Sequence, residues 1–141
     1  TAGQGTNLGH AFEHLGHILE ASEHAERLGV CFDTCHALAA GHEIRDAASY
    51  RKTMTAFDRE VGLDRIRMFH LNDTKHALGS RKDRHEHIGD GEVGLEAFRL
   101  LLNDRRFRDV GMVLETPKGK ELDEDRRNLA ALRELLPENR R

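Results

Sequence analysis

Val30-Cys31-Phe32-Asp33 is a short apolar run that closes on a carboxylate, and the chain repeats the device twice. The second copy is Ile66-Arg67-Met68-Phe69-His70 and the third is Gly111-Met112-Val113-Leu114-Glu115. Each run has the length of a strand, and each delivers a metal-ligand side chain at or near its last residue. Helical patterns separate the runs, so the strands lie parallel and are joined by right-handed crossovers. The carboxyl edge of such a sheet is where sites are built. Asp83-Arg84-His85-Glu86-His87 follows the second run and adds further nitrogen and oxygen donors. The pattern points to a metal-dependent enzyme on a parallel sheet.

Working outward, residues 1–7 (TAGQGTN) read as a loop with Asn7 as a helix N-cap. Leu8, Phe12, Leu15 and Leu19 recur at helical spacing, which predicts a helix over residues 8–27, ended by Gly29. Asp46 caps a second helix with Tyr50, Met54, Phe57 and Val61 inward, Gly62 closes it, and a strand over 66–71 follows. Residues 72–94 form a long polar loop, of the kind that is usually functional or disordered. A third helix over 95–103 turns Leu95, Phe98 and Leu102 inward. After the strand at 111–115, Pro117 and Gly119 break the chain before a last helix on Leu129, Leu132 and Leu136. The order is αβαβαβα. Three parallel strands cannot close a barrel, so this cadence fits part of an eight-stranded barrel better than a complete small sheet.

The 141 residues have the size of one domain, and 33% charged with 38% hydrophobic residues is an ordinary composition. A net charge of −3 carries no basic footprint of a nucleic-acid binder, although bound divalent cations would add positive charge that this count omits. The apolar stretches are too short to span a bilayer and no signal peptide opens the chain, which predicts a cytoplasmic protein without a membrane partner. Thr1 is not an initiator methionine, and the chain starts inside a glycine-rich loop, so it reads as a piece of something longer. Cys31 and Cys35 lack a second pair for a thiolate zinc site and read as buried, reduced thiols.

Asp33 and His36 stand three apart where a strand turns into a loop, and both can face one cavity. The plain alternative makes Asp33 a capping residue and His36 a surface histidine. His70 at a strand end is, by itself, more often a core histidine satisfied by a hydrogen bond. Glu115 is harder to dismiss, since a carboxylate after an apolar run is costly to bury without a cation or water. Asp83 and His85 alternate, so an extended segment presents both to one ion. His87 continues the alternation as a third candidate, while Arg84 points the other way, toward a phosphate or carboxylate. Mixed nitrogen and oxygen ligands without thiolate suit catalytic zinc, manganese or iron. His10, His14 and His17 share a helix face with no HExxH pattern and read as solvent-facing, as do His24, His42 and His76.

With these residues placed, the chain resembles the endonuclease IV family of zinc-dependent apurinic/apyrimidinic endonucleases. The resemblance runs through Thr1-Ala2-Gly3-Gln4-Gly5, the GVCFDTCH segment at 29–36, His70-Leu71-Asn72-Asp73, Gly79-Ser80-Arg81, Asp83-Arg84-His85 and Leu114-Glu115-Thr116-Pro117. Each motif is weak alone; all of them in order are specific. The resemblance implies a TIM (β/α)8 barrel, with residues 1–141 as the C-terminal portion of that single domain. It implies three zinc ions in the full-length enzyme and hydrolysis of the phosphodiester 5′ to an abasic site in double-stranded DNA, leaving a 3′-hydroxyl and a 5′-deoxyribose phosphate. It also implies a monomer at full length.

By the same resemblance Asp33, His70 and Glu115 fall on the ligands of one zinc, with Asp33 and Glu115 central to catalysis. His36, Asp83 and His85 fall on the ligands of another. His87 matches no ligand, Gln4 falls on a residue inserted at the abasic site, and Arg84 lies beside the phosphate. The family's bridging glutamate and two further histidines precede the TAGQG loop and are not among residues 1–141, so this chain is expected to be inactive alone. The alternative is a metal-dependent sugar isomerase or epimerase of the xylose-isomerase-like barrels, which share the fold and strand-end ligands.

Overall fold

The computed structural model describes residues 1–140. Three strands, β1 (Val30–Asp33), β2 (Ile66–His70) and, later in the chain, β5 (Gly111–Val113), form one parallel sheet in the order β1-β2-β5. Between β2 and β5 the short strands β3 (Asp73–Thr74) and β4 (His85–Glu86) pair antiparallel. The helices are α1 (Phe12–Ala21), α2 (Thr34–Ala40), α3 (Ala47–Glu60), α4 (Gly94–Leu102) and α5 (Asp123–Glu134).

Register decides what each sheet face carries. Val30 lies opposite Ile66, but Cys31 lies opposite Met68, so Arg67 is an extra residue in a bulge. Beyond it Phe32 pairs with Phe69 and Asp33 with His70, while Phe69 faces Met112 and His70 faces Val113. Phe32 and Phe69 therefore share the face that meets the helices. A series of edge-to-face and tilted rings runs through that layer: Phe12 on Phe57 at 5.0 Å between centroids, Phe57 on Phe32 at 5.8 Å, Phe32 tilted on Phe69 at 5.8 Å and Phe69 on Phe107 at 4.9 Å. Such pairs add to the stabilisation from burial. The other face carries Cys31, Met68 and Val113, all exposed, and ends in Asp33 and His70.

Helix α3 forms as its sequence predicts, with the Asp46 carboxylate accepting from the Ala48 and Ser49 N–H groups and Tyr50, Met54 and Phe57 buried. It packs closely on α1 because Gly16 has no side chain: a Cβ there would meet the Glu60 carbonyl at 2.6 Å.

Several elements depart from the pattern-based expectation. α1 begins at Phe12, not residue 8, and Asn7 does not cap it. The carbonyls of Leu8 and Gly9 are instead taken by the Thr1 hydroxyl and amine, and Gly9 is left-handed (φ 83°), so residues 1–10 fold into a loop with Leu8 exposed. The helix stops at Ala21 because Ser22 is extended. Residues 34–40, expected as a loop, form α2, a short buried helix that Gly41 terminates in the left-handed region (φ 102°). α4 buries Ala97, Phe98 and Leu101 and leaves Leu95 exposed, since its axis starts at Gly94 beside the Gly89 turn. On α5 only Leu132 of the predicted stripe is buried; Leu129 and Leu136 line an apolar groove along the outer edge of β5. Cys35 is buried as expected, but Cys31 is exposed. His42 is half-buried and stacked on Phe12 at 3.9 Å, and its Nε2 donates to the His10 carbonyl. His14 Nδ1 accepts from the Gly9 N–H, so this histidine also serves the N-terminal loop.

Tyr50 on α3 donates to Asp104 Oδ2 (3.0 Å), and Arg106 Nε lies 2.9 Å from Oδ1 of the same carboxylate. Burial alone would raise the Asp104 pKa, but hydrogen bonds from Arg106 and Tyr50 outweigh it and hold the carboxyl below its ordinary value. A depressed carboxyl stabilises the fold above its unfolded pKa and loses that contribution as pH falls through the folded value. Asp104→Asn should therefore lower stability at neutral pH by about 1–2 kcal/mol. The gap to the parent chain should close on acidification in denaturant melts.

Candidate metal centre

Asp33 works twice. It ends β1 and caps α2, its Oδ1 accepting the His36 N–H at 3.0 Å, while Oδ2 accepts from Asn72 Nδ2 at 2.9 Å. His70, level with it at the end of β2, places Nδ1 3.5 Å from Asp33 Oδ2 and 2.8 Å from Glu115 Oε2. Glu115 lies two residues past β5, and its N–H donates to Asn72 Oδ1 at 2.8 Å. Candidate ligand atoms of Asp33, His70 and Glu115 all lie within 4.8 Å of one another. The Glu115 side chain stays 48% exposed, so pairing and water together relieve its charge.

A second cluster adjoins the first. His36 sits in the first turn of α2, and the β3–β4 excursion brings Asp83 and His85 over it. Asp83 Oδ2 is 3.0 Å from His36 Nε2, and Oδ1 is 3.3 Å from His85 Nε2. Neither contact has hydrogen-bond geometry, and both imidazole nitrogens are buried without a hydrogen-bond partner. His85 Nδ1 donates to the Glu115 carbonyl (3.0 Å), so Nε2 is the nitrogen that faces Asp83 and exposes a lone pair once its proton is lost. The Cys35 sulfur beside the ring does most to raise the His85 pKa; the Glu115 carbonyl and the Asp33 charge add to it against burial, and the value is pushed up to about 9. An imidazole in such an acceptor-rich pocket holds a proton until a cation displaces it. Asp33 also forms a candidate ligand group with His36 and His85, so it joins the two clusters.

The donor chemistry and the two unpartnered nitrogens fit divalent cations. The loop before Asp83 is strapped to α2: the Gly79 and Arg81 N–H groups donate to the Leu38 and Ala39 carbonyls at 2.9 Å each. These bonds satisfy the open end of the helix and bind the Asp83 segment to the element that carries His36. Asp73, fully buried, anchors the far side of the excursion by accepting from the N–H groups of Thr74, Gly89 and Val93.

All six sequence-predicted ligands meet here, and His87 does not. Its Nδ1 instead accepts from Asn128 Nδ2 on α5 (3.2 Å). Gln4 Oε1 accepts the Asp83 N–H at 2.7 Å, which places it at the rim, and Arg84 is exposed with its guanidinium donating to the Asp83 carbonyl. Three further residues lie inside the sequence motifs, but the sequence alone assigns them no role here. Asn72 bridges Asp33 and Glu115, Thr34 braces Asn72, and Cys35 stands among candidate donors with Asp83 and His85. Asp83→Ala or His85→Ala should weaken divalent-metal binding by at least ~10-fold, and His87→Ala far less, as read by competition with a chromogenic chelator.

A family profile described as xylose isomerase-like TIM barrel matches residues 1–136. The chain is 57% identical over 136 residues to the "Probable endonuclease 4" of Chloroflexus aurantiacus, a match covering 96% of this chain and 48% of that protein. The "Probable endonuclease 4" of Geobacter sulfurreducens is 54% identical, with 96% and 46% covered. Among solved structures, endonuclease IV from Thermus thermophilus superposes with a TM-score of 0.82 at 40% identity, covering 96% of this chain and 47% of that one. The chain thus spans about half the length of the relatives it matches. Three parallel strands ending in candidate ligands, over a helical layer, are part of their barrel, and the chain belongs to the xylose isomerase-like TIM-barrel family, among its endonuclease IV members.

Proposed function

We propose that this chain supplies most of the metal centre of a DNA-repair endonuclease that cleaves the phosphodiester 5′ to abasic sites in duplex DNA. The observation that carries the reading is the pair of clusters joined through Asp33 on the open carboxyl edge of the sheet. In this reading zinc is the metal, three ions serve the complete monomeric enzyme, and the protein acts in the cytoplasm. Residues 1–141 then form the C-terminal portion of a single barrel domain. Among the described residues, no helix is long and apolar enough to cross a membrane.

Each side chain has a part in that chemistry. Asp33, His70 and Glu115 would hold one ion, and His36, Asp83 and His85 another. Divalent ions supply Lewis-acid charge to a phosphodiester and to the water that attacks it. The carboxylates of Asp33 and Glu115 fix where that charge sits, so phosphate and water meet in one orientation. Arg84 stands in solvent beside Asp83 and can pair with a phosphate oxygen. Gln4, tied to the Asp83 N–H, reaches the same rim from the N-terminal loop, and in this reading it would fill the gap left by a missing base. Abasic DNA unstacks and bends at lower cost than intact duplex, which favours recognition by shape. Similarity to proteins named endonuclease 4 weighs against the sugar isomerase alternative.

The test is to complete the barrel. Residues 1–141 are fused behind the N-terminal half of the Chloroflexus aurantiacus relative and given a duplex with a tetrahydrofuran abasic analogue. The fusion with zinc should nick 5′ to the analogue, while its Asp83→Ala form and the 141-residue chain alone should not. A folded, zinc-loaded fusion that leaves the duplex intact would overturn the proposal, and about one ion per fusion, not three, would favour an isomerase-type centre.

A further inference from the structure

We infer that Asn128, on α5 and outside both ligand clusters, is a positioning residue that holds the His85 segment against the Glu115 segment. This rests on the metal-centre reading above. Asn128 is fully buried, and each hydrogen-bonding atom of its amide is used. Oδ1 accepts the Ile88 N–H at 3.0 Å, and Nδ2 donates to Thr116 Oγ1 at 2.9 Å and to His87 Nδ1 at 3.2 Å. Because a backbone N–H can only donate, the orientation of the amide is determined by its partners.

The partners give these bonds their meaning. Ile88 and His87 directly continue the strand that carries His85, and Thr116 directly follows Glu115. These two segments otherwise meet through His85 Nδ1 and the Glu115 carbonyl. Asn128 adds a second tie only a few residues away, from a helix that holds no candidate ligand of its own. With both ties made, the His85 segment has little freedom to hinge away from Glu115. With Asn128 replaced by an apolar side chain, the His85–Glu115 bond would remain as the described direct tie between these two segments. Partners one step removed from a metal typically govern its affinity by about 10–100-fold.

The binding of cobalt(II) to the 141-residue chain, followed by its ligand-field absorption and by zinc competition, tests the inference without any activity readout. Asn128→Leu keeps the volume and removes every bond, and should weaken cobalt binding at least ~10-fold. Asn128→Asp still accepts from Ile88 and can accept from the Thr116 hydroxyl, so it should bind at least as tightly as the parent chain. Thr116→Val, a milder change that keeps its shape, should weaken binding by several-fold. Tyr50→Phe, which loses a buried hydrogen bond far from the clusters, controls for general destabilisation and should bind normally. If Asn128→Leu does not fold, Thr116→Val against Tyr50→Phe decides. The inference is overturned if Asn128→Leu and Thr116→Val bind like the parent chain, or if Asn128→Asp is as weak as Asn128→Leu. A parent chain that takes up no cobalt would overturn the metal-centre reading and this inference together.

Discussion

The amide of Asn72 is the constraint on which the centre depends. It has no exposure to water, so each of its polar atoms must find a partner inside the protein or cost stability. Its partners lie at the ends of the two neighbouring strands: Nδ2 donates to Asp33 at the end of β1, and Oδ1 accepts the N–H of Glu115 after β5. Its own N–H donates to Thr34 Oγ1, and that hydroxyl donates back to the Asn72 carbonyl at 2.7 Å. One residue just past the middle strand thus ties all three strand ends together. Carboxylates held this way keep their relative positions even though they repel each other.

The two sheet faces divide the work. On one, five phenylalanine rings in series lock the strands to α1, α3 and the turn before β5. That face supplies cohesion and carries no ligand. The other is apolar in its middle and polar only at its carboxyl edge, where Asp33, His70 and Glu115 meet. Charge is thereby confined to a place where histidine nitrogens, buried N–H groups and solvent all reach it. A rigid layer behind and a polar rim in front is the arrangement a preorganised centre needs.

Much of this was legible in the residues themselves. The strand ends could be read because a strand buried on its helix side must be apolar up to the point where its ligand begins. Asp83 and His85 could be read because they alternate in an extended segment. The helix α2 could not: Thr34-Cys35-His36-Ala37-Leu38-Ala39-Ala40 is buried nearly all round, so it has no polar face to set a period. Leu95 and Leu129 mislead for the opposite reason, since an apolar residue at the right spacing need not face the core when it sits in the first turn of its helix or borders an open edge. Asn72 and Asn128 were beyond reach because an asparagine gains its role from partners some forty residues away. His87 continues the alternation of Asp83 and His85 but matches no ligand of the family, and its ring accepts from Asn128 instead.

The bulge at Arg67 carries a consequence for how the chain tolerates changes in length. Only because β2 holds one more residue than β1 between their first and second paired positions does His70, and not Phe69, come level with Asp33. Side chains alternate sides along a strand, so the same five residues in an unbulged ladder would exchange the two, whereas deleting Arg67 would leave Phe32 opposite Phe69 and Asp33 opposite His70. In that unbulged ladder an imidazole would enter the phenylalanine layer and a benzyl ring would enter the candidate metal centre. The bulge is therefore what keeps cohesion and chemistry on separate faces at this strand length, and it is the point where β2 can lose a residue and keep both. The turn at residues 75–78 precedes the strap to α2 and could lengthen with far less effect. Among related sequences, gaps should gather in that turn and, within β2, be confined to the bulge at Arg67.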